Sequence, residues 1–171
     1  EDASFETNSG FDLAGIARAA YNQATGGSGG GSTISQQYIK VSSGDDAPTL
    51  TRKWVELAKS FKMNQTYEKA DIITAYLNII YFGRGCYGVE AASQCYFHKD
   101  VAKLTPSEAA YLAGIINGPE LYDSGTKYYT AAAKARWNYV LDGMVTEGWL
   151  PPAQRRPVPA AAGRAARLVS I

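Results

Sequence analysis

Four clusters of polar residues stand out from the helical patterns of the sequence, because the packing of a core does not require them. They occupy residues 1–12, 30–37, 52–56 and 69–78. The hydroxyl, amide and ammonium groups in these clusters are suited to hydrogen bonding with the oxygens of sugars and phosphates. The carboxylates among them are groups that can accept or donate a proton. The clusters are therefore the candidates for a functional site.

The glycine-rich residues 26–31 lead into a predicted helix start. A Gly/Ser run alone would be a flexible linker, but Ser32 and Thr33 are natural helix N-caps. In the two turns that follow, Gln36 and Lys40 share a face. The backbone N–H groups of a helix N-terminus attract anions. As a phosphate loop the stretch is a weak candidate, because it lacks the Gly-Lys-Ser/Thr of a Walker A motif.

Helical periodicity accounts for most of the rest of the chain, and no strand-like alternation of any length is present. The pattern therefore predicts a mainly α fold. One predicted helix follows Asp12, one is capped by Thr66, and one starts with the capping box Thr105–Glu108. The other predicted helices cover about residues 33–40, 49–62, 89–97 and 129–147.

The predicted helix over residues 49–62 has an apolar and a charged side. The apolar side consists of Leu50, Trp54, Leu57, Ala58 and Phe61. This pattern is typical of an ordinary amphipathic helix, which packs its apolar side into a core. On the charged side, Arg52 and Glu56 could form an ordinary surface ion pair at i,i+4.

Composition indicates one globular domain without nucleic-acid binding. The chain has 171 residues, 46% apolar and 19% charged, with a formal net charge of +1. Such a balance does not indicate a nucleic-acid partner. The longest nearly apolar stretch, residues 72–82, is shorter than the 18 or more residues of a membrane-spanning helix. We expect one domain over residues 1–150 and a Pro/Ala/Arg-rich C-terminal segment or linker over residues 151–171.

The two cysteines and the single histidine give little guidance by themselves. Cys86 and Cys95 fit no zinc-binding or C-x-x-C spacing. A disulfide in an oxidising compartment and two half-buried thiols are about equally compatible with the sequence. His98 follows a predicted helix and is expected in a surface loop.

In order and spacing, the clusters resemble the motifs of the peptidoglycan glycosyltransferases, glycosyltransferase family 51. These form the transglycosylase domain of class A penicillin-binding proteins and the monofunctional transglycosylases. The family patterns E-D-x-x-F-x-x-H-x-G, G-G/A-S-T-I-x-Q-Q, R-K-x-x-E, K-x-x-I-x-x-x-Y-L-N and E-A-A-x-L-A-G match from Glu1, Gly30, Arg52, Lys69 and Glu108, respectively. Five linked motifs in order are far more specific than any one alone.

The resemblance implies an inverting glycosyltransferase. The family polymerises lipid II into β-1,4-linked glycan strands and releases undecaprenyl pyrophosphate, in bacterial cell-wall synthesis. A base must remove the proton of the acceptor hydroxyl, and cations or N–H groups must take up the charge of the departing pyrophosphate.

The resemblance also assigns roles to individual residues. Glu1 matches the general base and Glu56 the second, supporting glutamate, whereas without the motif Glu1 would be interpreted as a frayed terminus. The positions matching substrate-binding residues are Ser32, Thr33, Gln36, Gln37, Lys40, Arg52 and Lys53. Among these, Lys40 matches a pyrophosphate-contacting lysine and Arg52 with Lys53 forms the basic motif of the donor site. Gln36 and Gln37 would otherwise be interpreted as solvated helix surface.

Two departures from the family pattern bear on activity. Asn8 stands where the family usually has histidine, and Pro48 where members commonly carry an arginine. The first keeps a hydrogen-bonding side chain but loses a titratable one, and the second loses one contact to the pyrophosphate. We expect activity to survive, because the carboxylate pair and Lys40 remain.

For the fold, the resemblance implies a lysozyme-like helical lobe with a small, mobile, membrane-facing jaw around residues 40–51. Implied partners are lipid II, the growing glycan strand, moenomycin-type inhibitors and the membrane surface. The implied location is the extracytoplasmic face of the bacterial cytoplasmic membrane. The family places a membrane anchor upstream of the residue matched by Glu1, and in class A proteins a transpeptidase domain follows. The sequence requires no cofactor and contains no metal-ligand cluster, although Mg²⁺ or Mn²⁺ at the pyrophosphate fits the family.

Two other interpretations stay open on the sequence. Two glutamates near a sugar are also the equipment of a lysozyme-like glycan hydrolase. The substitutions at Asn8 and Pro48 leave room for a non-catalytic relative that only binds glycan or lipid II. The basic residues Lys40, Arg52 and Lys53 favour a pyrophosphate leaving group over hydrolysis.

Overall fold

The chain is helical almost throughout the part that the structure describes. A computed structural model describes residues 2, 4–26, 31–44, 49–122 and 131–156. Within these ranges the only β pairing is an isolated antiparallel bridge between Tyr81 and Tyr87. The prediction of a mainly α fold is confirmed.

The chain divides into two compact units, Glu1–Ile80 and Tyr81–Ile171. Asp2 and residues 4–12, called here the N-terminal segment, precede the helices of the first unit. These helices are α1 (Leu13–Ala24), α2 (Ile34–Ser43), α3 (Leu50–Thr66) and α4 (Lys69–Ile79). The buried apolar side chains of this unit are Phe5, Ile34, Ile72, Tyr76 and Ile80. The second helix, α2, packs against both α3 and α4.

A capping box starts α2 at Thr33, one of the two residues that the sequence predicts as N-caps. Thr33 Oγ1 accepts the N–H of Gln36, and Gln36 Oε1 accepts the N–H of Thr33. The Thr33 hydroxyl also donates to the Gly10 carbonyl at 2.8 Å. Gly10 has φ +93, and a Cβ at this position would overlap the Ser60 carbonyl of α3. Glycine is therefore required where the N-terminal segment passes between α2 and α3.

The third helix, α3, is oriented opposite to the sequence expectation. Trp54 is 70% exposed and Phe61 is exposed, whereas Glu56 and Ser60 are buried. The prediction that the apolar side enters the core is wrong. The reason is that polar groups of the opposite side hydrogen-bond to α2: Asn64 Nδ2, for example, donates to Ser35 Oγ at 2.7 Å.

The prediction of a helix cap at Thr66 is also wrong. Thr66 is the last residue of α3, and its hydroxyl donates to the Lys62 carbonyl at 2.9 Å. A hydroxyl bonded back to its own helix does not cap the next one. The N-cap of α4 is Glu68, which makes no side-chain capping bond.

The second unit contains α5 (Val89–Phe97), α6 (Pro106–Ile115), the short α7 (Pro119–Tyr122) and α8 (Ala131–Thr146). Two 3-10 turns lie at Val101–Lys103 and Pro152–Gln154. The core of this unit includes edge-to-face aromatic contacts, Tyr96–Tyr111 at 5.7 Å and Tyr111–Trp137 at 5.2 Å between ring centroids. The predicted bounds of α5 and the capping box of α6 are confirmed.

A disulfide joins Cys86 and Cys95, the pairing that the sequence left open. It fastens the turn over residues 83–85 to α5. All three residues of this turn have positive φ, including Arg84 at φ 54. A short cross-link of this kind stabilises a fold mainly by restricting the unfolded chain.

Other expectations fall partly on described residues. His98 ends α5 in an exposed, left-handed conformation, as expected of a residue leading into a surface loop. Of the predicted C-terminal segment, Arg155 contacts α8, where its Nε donates to Asp142 Oδ1 at 2.7 Å. Residues 157–171 lie outside the described part. Among the described helices, none is long and apolar enough to cross a membrane.

The capping box of α6 provides a pH-dependent test of the fold. Glu108 Oε2 accepts the Thr105 N–H and the Lys99 ammonium at 2.8 and 2.7 Å. Burial alone would raise the pKa of Glu108, but the hydrogen bonds from Lys99 and Thr105 outweigh it and lower the pKa below the ordinary 4.5. A lowered carboxyl pKa means that the stabilisation is present above pH 4.5 and is lost as the pH falls through the lowered value.

We expect Glu108→Gln, which keeps the cap but removes the charge, to lower the free energy of unfolding by about 1 kcal/mol at neutral pH. In acid, below the lowered pKa of Glu108, the difference between the two chains should vanish. Urea unfolding at both pH values measures it. Glu147→Gln at an exposed position is the control, and a difference that persists in acid would contradict this account.

Candidate functional site

The carboxylate of Asp2 ties the N-terminal segment to the start of α2. Asp2 Oδ2 accepts the backbone N–H of Ile34 at 3.0 Å, and the Asn8 amide donates to both Asp2 oxygens at 3.1 Å. A negative charge at a helix N-terminus is favoured by the unpaired N–H groups and the helix dipole. These bonds position the residue that directly follows Glu1. Glu1 itself lies outside the described residues, and its role as base stays a prediction.

Lys69, at the start of α4, connects the N-terminal segment to α3. Its Nζ donates to the Asn8 carbonyl and to Asn64 Oδ1, both at 2.6 Å. Burial lowers the pKa of Lys69, while the charges of Asp2 and Glu6 act in the opposite direction. The ammonium is thus bound by oxygens contributed from two separate elements.

The two glutamines of α2 are held by different partners. Gln36 is 1% exposed, and its Oε1 is occupied by the Thr33 N–H. Among the described residues, Gln36 Nε2 has no hydrogen-bond acceptor. Gln37 Oε1 accepts the hydroxyl of Tyr76 at 2.8 Å. The interpretation of Gln36 as solvated surface is therefore wrong, and its amide keeps a donor for an oxygen supplied from elsewhere.

A buried carboxylate holds two of the basic residues of α3. Glu56 is 4% exposed and pairs with the Arg52 guanidinium and with Lys53 Nζ, the latter at 3.2 Å. Lys53 Nζ also donates to Ser32 Oγ at 2.7 Å. The predicted site residues Ser32, Arg52, Lys53 and Glu56 are therefore joined in one polar cluster beside the start of α2.

A cavity of about 220 Å³ lies next to this cluster. Arg52 and Glu56 form part of its wall together with residues from α2 and the beginning of α3. Its lining consists of Ile39, Ser43, Thr49, Thr51, Arg52, Val55, Glu56 and Lys59. The cluster can therefore be reached by a ligand along the space between α2 and α3.

Two other positions discussed for the sequence are Lys40 and Pro48. Lys40 is exposed in the last turn of α2. Pro48 lies outside the described residues, as does part of the predicted jaw over residues 40–51. The mobility of the jaw stays a prediction.

Sequence reasoning missed Asn64 and Ser35, which join α3 to α2, and gave Lys69 no role beyond its motif. A signal was present: Glu56, Ser60 and Asn64 follow one another at i, i+4 and i+8, which places them on one face of a helix. The apolar side of the same helix obscured this polar stripe.

The described residues form no metal site from protein side chains alone. They contain no group of three or more histidine, cysteine, aspartate or glutamate side chains that could hold an ion. The carboxylate of Glu56 is taken up by two cationic side chains. We therefore derive no catalytic step through a divalent ion.

Comparison with known proteins places this arrangement in a family. The family model described as Transglycosylase matches residues 1–145. The chain belongs to the transglycosylase family. It is 48% identical over 160 residues to penicillin-binding protein 1A of Mycobacterium tuberculosis, a match that covers 91% of this chain and 19% of that protein.

Two further similar proteins are also penicillin-binding proteins. Penicillin-binding protein 2D of Bacillus subtilis is 42% identical over 138 residues, which is 80% of this chain and 19% of that protein. A crystal structure of penicillin-binding protein 1A from Haemophilus influenzae aligns over 75% of this chain and 16% of its own, with 22% identity and a TM-score of 0.43. The chain spans about a fifth of the length of the curated relatives it matches.

Asn8 stands where the pattern of the transglycosylase family has histidine. In the structure its side-chain amide forms hydrogen bonds within the N-terminal segment. Its Nδ2 donates to Asp2, and its Oδ1 accepts the Gly10 N–H at 2.9 Å. A neutral amide supplies the donor and the acceptor together. Asn8 thereby sets the conformation of the segment that carries the first motif.

Exchanging Asn8 for aspartate tests this task, because the two side chains have the same shape. Asn8→Asp replaces the donor with a second carboxylate facing Asp2. We expect the free energy of unfolding to fall by about 1 kcal/mol, because this half-buried site loses a hydrogen-bond donor. Denaturant unfolding measures the change, with Asn117→Asp at an exposed position as the control. Equal losses in both variants would argue against a specific role for Asn8.

Proposed function

We propose that this chain is a peptidoglycan glycosyltransferase that polymerises lipid II into β-1,4-linked glycan strands and releases undecaprenyl pyrophosphate. Its place is then in bacterial cell-wall synthesis. One observation carries the proposal: Lys53 joins Ser32, beside the start of α2, to the buried Glu56. This brings cationic and hydroxyl groups together in a chain of the transglycosylase family. Such a cluster suits a pyrophosphate leaving group.

The proposed reaction is one displacement with inversion at the anomeric carbon of the donor sugar. Glu1 takes the proton from the acceptor 4-hydroxyl as the oxygen attacks, and the polyprenyl pyrophosphate departs with the bonding electrons. Arg52 and Lys53 take up the negative charge that develops on the leaving group. Their pairing with Glu56 fixes both cations before the substrate arrives, so little reorganisation is needed.

Glu56 supports the site in this scheme and does not transfer a proton. Its carboxylate lies between two cationic side chains and is almost fully buried. A glycan hydrolase would need a second carboxyl group free to act as an acid or a base. The ion pairs of Glu56 therefore favour a transferase over a lysozyme-like hydrolase.

The remaining predicted contacts complete the proposed binding site. Gln36 would donate its Nε2 hydrogens to a sugar or phosphate oxygen, and Gln37 and Thr33 lie in the same first turns of α2. Lys40, at the exposed end of this helix, would contact the pyrophosphate. Moenomycin-type inhibitors would occupy these same groups. If Mg²⁺ or Mn²⁺ takes part, phosphate oxygens must supply most of its ligands.

Polymerisation of purified lipid II tests the proposal directly. We expect Glu1→Gln to lower the rate of polymer formation by about 10²-fold or more, because the amide cannot accept the proton. Glu6→Gln, an exposed residue of the same segment, should retain the rate. Unchanged polymerisation by Glu1→Gln would overturn the mechanism. Cleavage of preformed glycan would indicate the hydrolase, and binding without turnover the non-catalytic relative.

We also propose that the first unit contacts the membrane surface from the extracytoplasmic side. The outward side of α3 combines the exposed Trp54 and Phe61 with the exposed lysines Lys59 and Lys62. Such a combination suits a helix lying at a lipid interface, where tryptophan is enriched and lysine pairs with anionic headgroups. The Cys86–Cys95 disulfide supports an oxidising location outside the cytoplasm.

The exposed tryptophans offer a matched pair of variants for the membrane contact. Trp54→Ser should weaken binding to phosphatidylglycerol-containing vesicles by roughly tenfold, because the buried apolar area of one large side chain is lost. Trp149→Ser removes a similarly exposed tryptophan from the second unit and should have little effect. Co-sedimentation with vesicles measures both. Equal binding by the two variants would contradict a contact through α3.

A further inference from the structure

The ammonium of Lys69 is enclosed by groups of the protein itself. Its Nζ donates to the Asn8 carbonyl and to Asn64 Oδ1, both at 2.6 Å, and more weakly to Asn8 Oδ1 at 3.4 Å. The ring of Phe5 lies against the ammonium, with its centroid 4.7 Å from Nζ. An ammonium has three hydrogens to donate, and these oxygens accept them. Lys69 therefore acts on the site through the residues that it holds.

Two of the groups around Lys69 belong to the N-terminal segment. Phe5 is 7% exposed, and its backbone N–H donates to the Asp2 carbonyl at 3.3 Å. The Asn8 amide donates to the carboxylate of Asp2, which in turn accepts the N–H of Ile34. Lys69 thereby restrains the short segment that follows the proposed base.

The third group, the amide of Asn64, leads to the start of α2. Its Oδ1 accepts from Lys69, while its Nδ2 donates to Ser35 Oγ at 2.7 Å and to the Ser60 carbonyl at 2.9 Å. Both ends of the amide are used, which fixes its orientation. Ser35 is fully buried in the first turn of α2. A continuous path of hydrogen bonds, called here the Lys69–Asn64 bridge, therefore links the N-terminal segment to this turn.

We propose that Lys69 and Asn64 are positioning residues for glycosyl transfer, which hold the N-terminal segment and Glu1 against the start of α2. This rests on the proposed function, in which Glu1 is the base and the leaving group lies beside α2. In that scheme neither residue of the bridge touches the substrate. A base removes a proton only from within hydrogen-bond reach, and a displacement of about 1 Å can lower a rate on the order of 10²-fold.

Polymerisation of lipid II by Lys69→Met, at a temperature at which circular dichroism shows the variant fully folded, tests the positioning role. We expect kcat and kcat/KM to fall together by about 10- to 100-fold, because the groups that bind the substrate remain in place. Asn64→Leu should cause a similar loss. The double variant should lose no more than the worse single variant, since both changes break one bridge. Lys103→Met removes an exposed lysine of the second unit and should retain the rate.

Chemical rescue separates the ammonium from other effects of the substitution. Cys86 and Cys95 are the only cysteines of the chain and form a disulfide, so Lys69→Cys introduces a single free thiol. Without a reductant, 2-bromoethylamine alkylates this thiol and restores an ammonium at nearly the length of a lysine. We expect the untreated variant to be as slow as Lys69→Met, and the alkylated one to recover most of the lost rate. A rate that alkylation leaves low would contradict the role of the ammonium.

Amide hydrogen exchange tests the bridge without requiring catalysis. In Lys69→Met we expect the Ile34 amide, which donates to Asp2, to exchange faster by about tenfold or more, because the segment is released locally. The Ile80 amide, which donates to the Tyr76 carbonyl in the same unit, should keep its rate. Equal acceleration of both amides would indicate a general loss of stability and overturn the positioning role.

The outcomes separate this inference from the proposed function. If the unchanged chain polymerises lipid II and fully folded Lys69→Met keeps its kcat, the positioning role is overturned and the proposed function stands. Unchanged exchange at Ile34 overturns the bridge whether or not polymer forms, and losses that multiply in the double variant overturn a shared bridge. No polymer from the unchanged chain overturns the proposed function, whereas accelerated exchange at Ile34 would still support the Lys69–Asn64 bridge.

Discussion

The first unit depends on the inward-facing polar side of α3. Buried polar groups are costly unless each is hydrogen-bonded, and the buried Glu56 is paired within α3 by Arg52 and Lys53. The half-buried Lys53 and Asn64 also bond to neighbouring elements. Lys53 Nζ donates a hydrogen bond to Ser32 Oγ. Asn64 Nδ2 donates to Ser35 Oγ, and Asn64 Oδ1 accepts from the Lys69 ammonium. These bonds determine where α2 and the N-terminal segment lie. The groups that hold the unit together are therefore largely the groups that form its candidate site.

The parts of the fold that could be predicted are those determined by residues close together in the chain. The N-cap at Thr33 and the capping box at Thr105 were predictable because the groups that form them lie within four residues of chain. The bounds of α5 were also predicted from the local helical pattern. The orientation of α3 could not be predicted, because hydropathy shows which side is apolar and not which side is covered. Its choice of side depends on Ser35, 29 residues away in the chain from Asn64.

The candidate site was predictable to a similar extent. The motif order indicated Ser32, Arg52, Lys53 and Glu56, and the structure joins these residues. The motif order did not indicate the contacts of Asn8, which is substituted relative to the family pattern. Asn8 hydrogen-bonds to Asp2 and to Lys69, which lies 61 residues away in the chain. Nor could spacing decide the state of Cys86 and Cys95, since pairing requires the two Cα atoms to come within reach, here 6.7 Å.

Among the described residues, Gln36 Nε2 is a buried donor without an acceptor, which lowers the stability of the first unit but leaves a group that can bind a ligand. Within the part of the chain that the structure describes, its Nε2 is buried without an acceptor, which costs about 1–3 kcal/mol. Net stabilities of folded proteins are only about 5–15 kcal/mol, so this is a substantial burden for one amide. A ligand oxygen that reached the amide would complete the hydrogen bonding of the protein interior. Binding of the ligand would then stabilise the folded first unit itself, because it would supply the acceptor that this buried amide lacks.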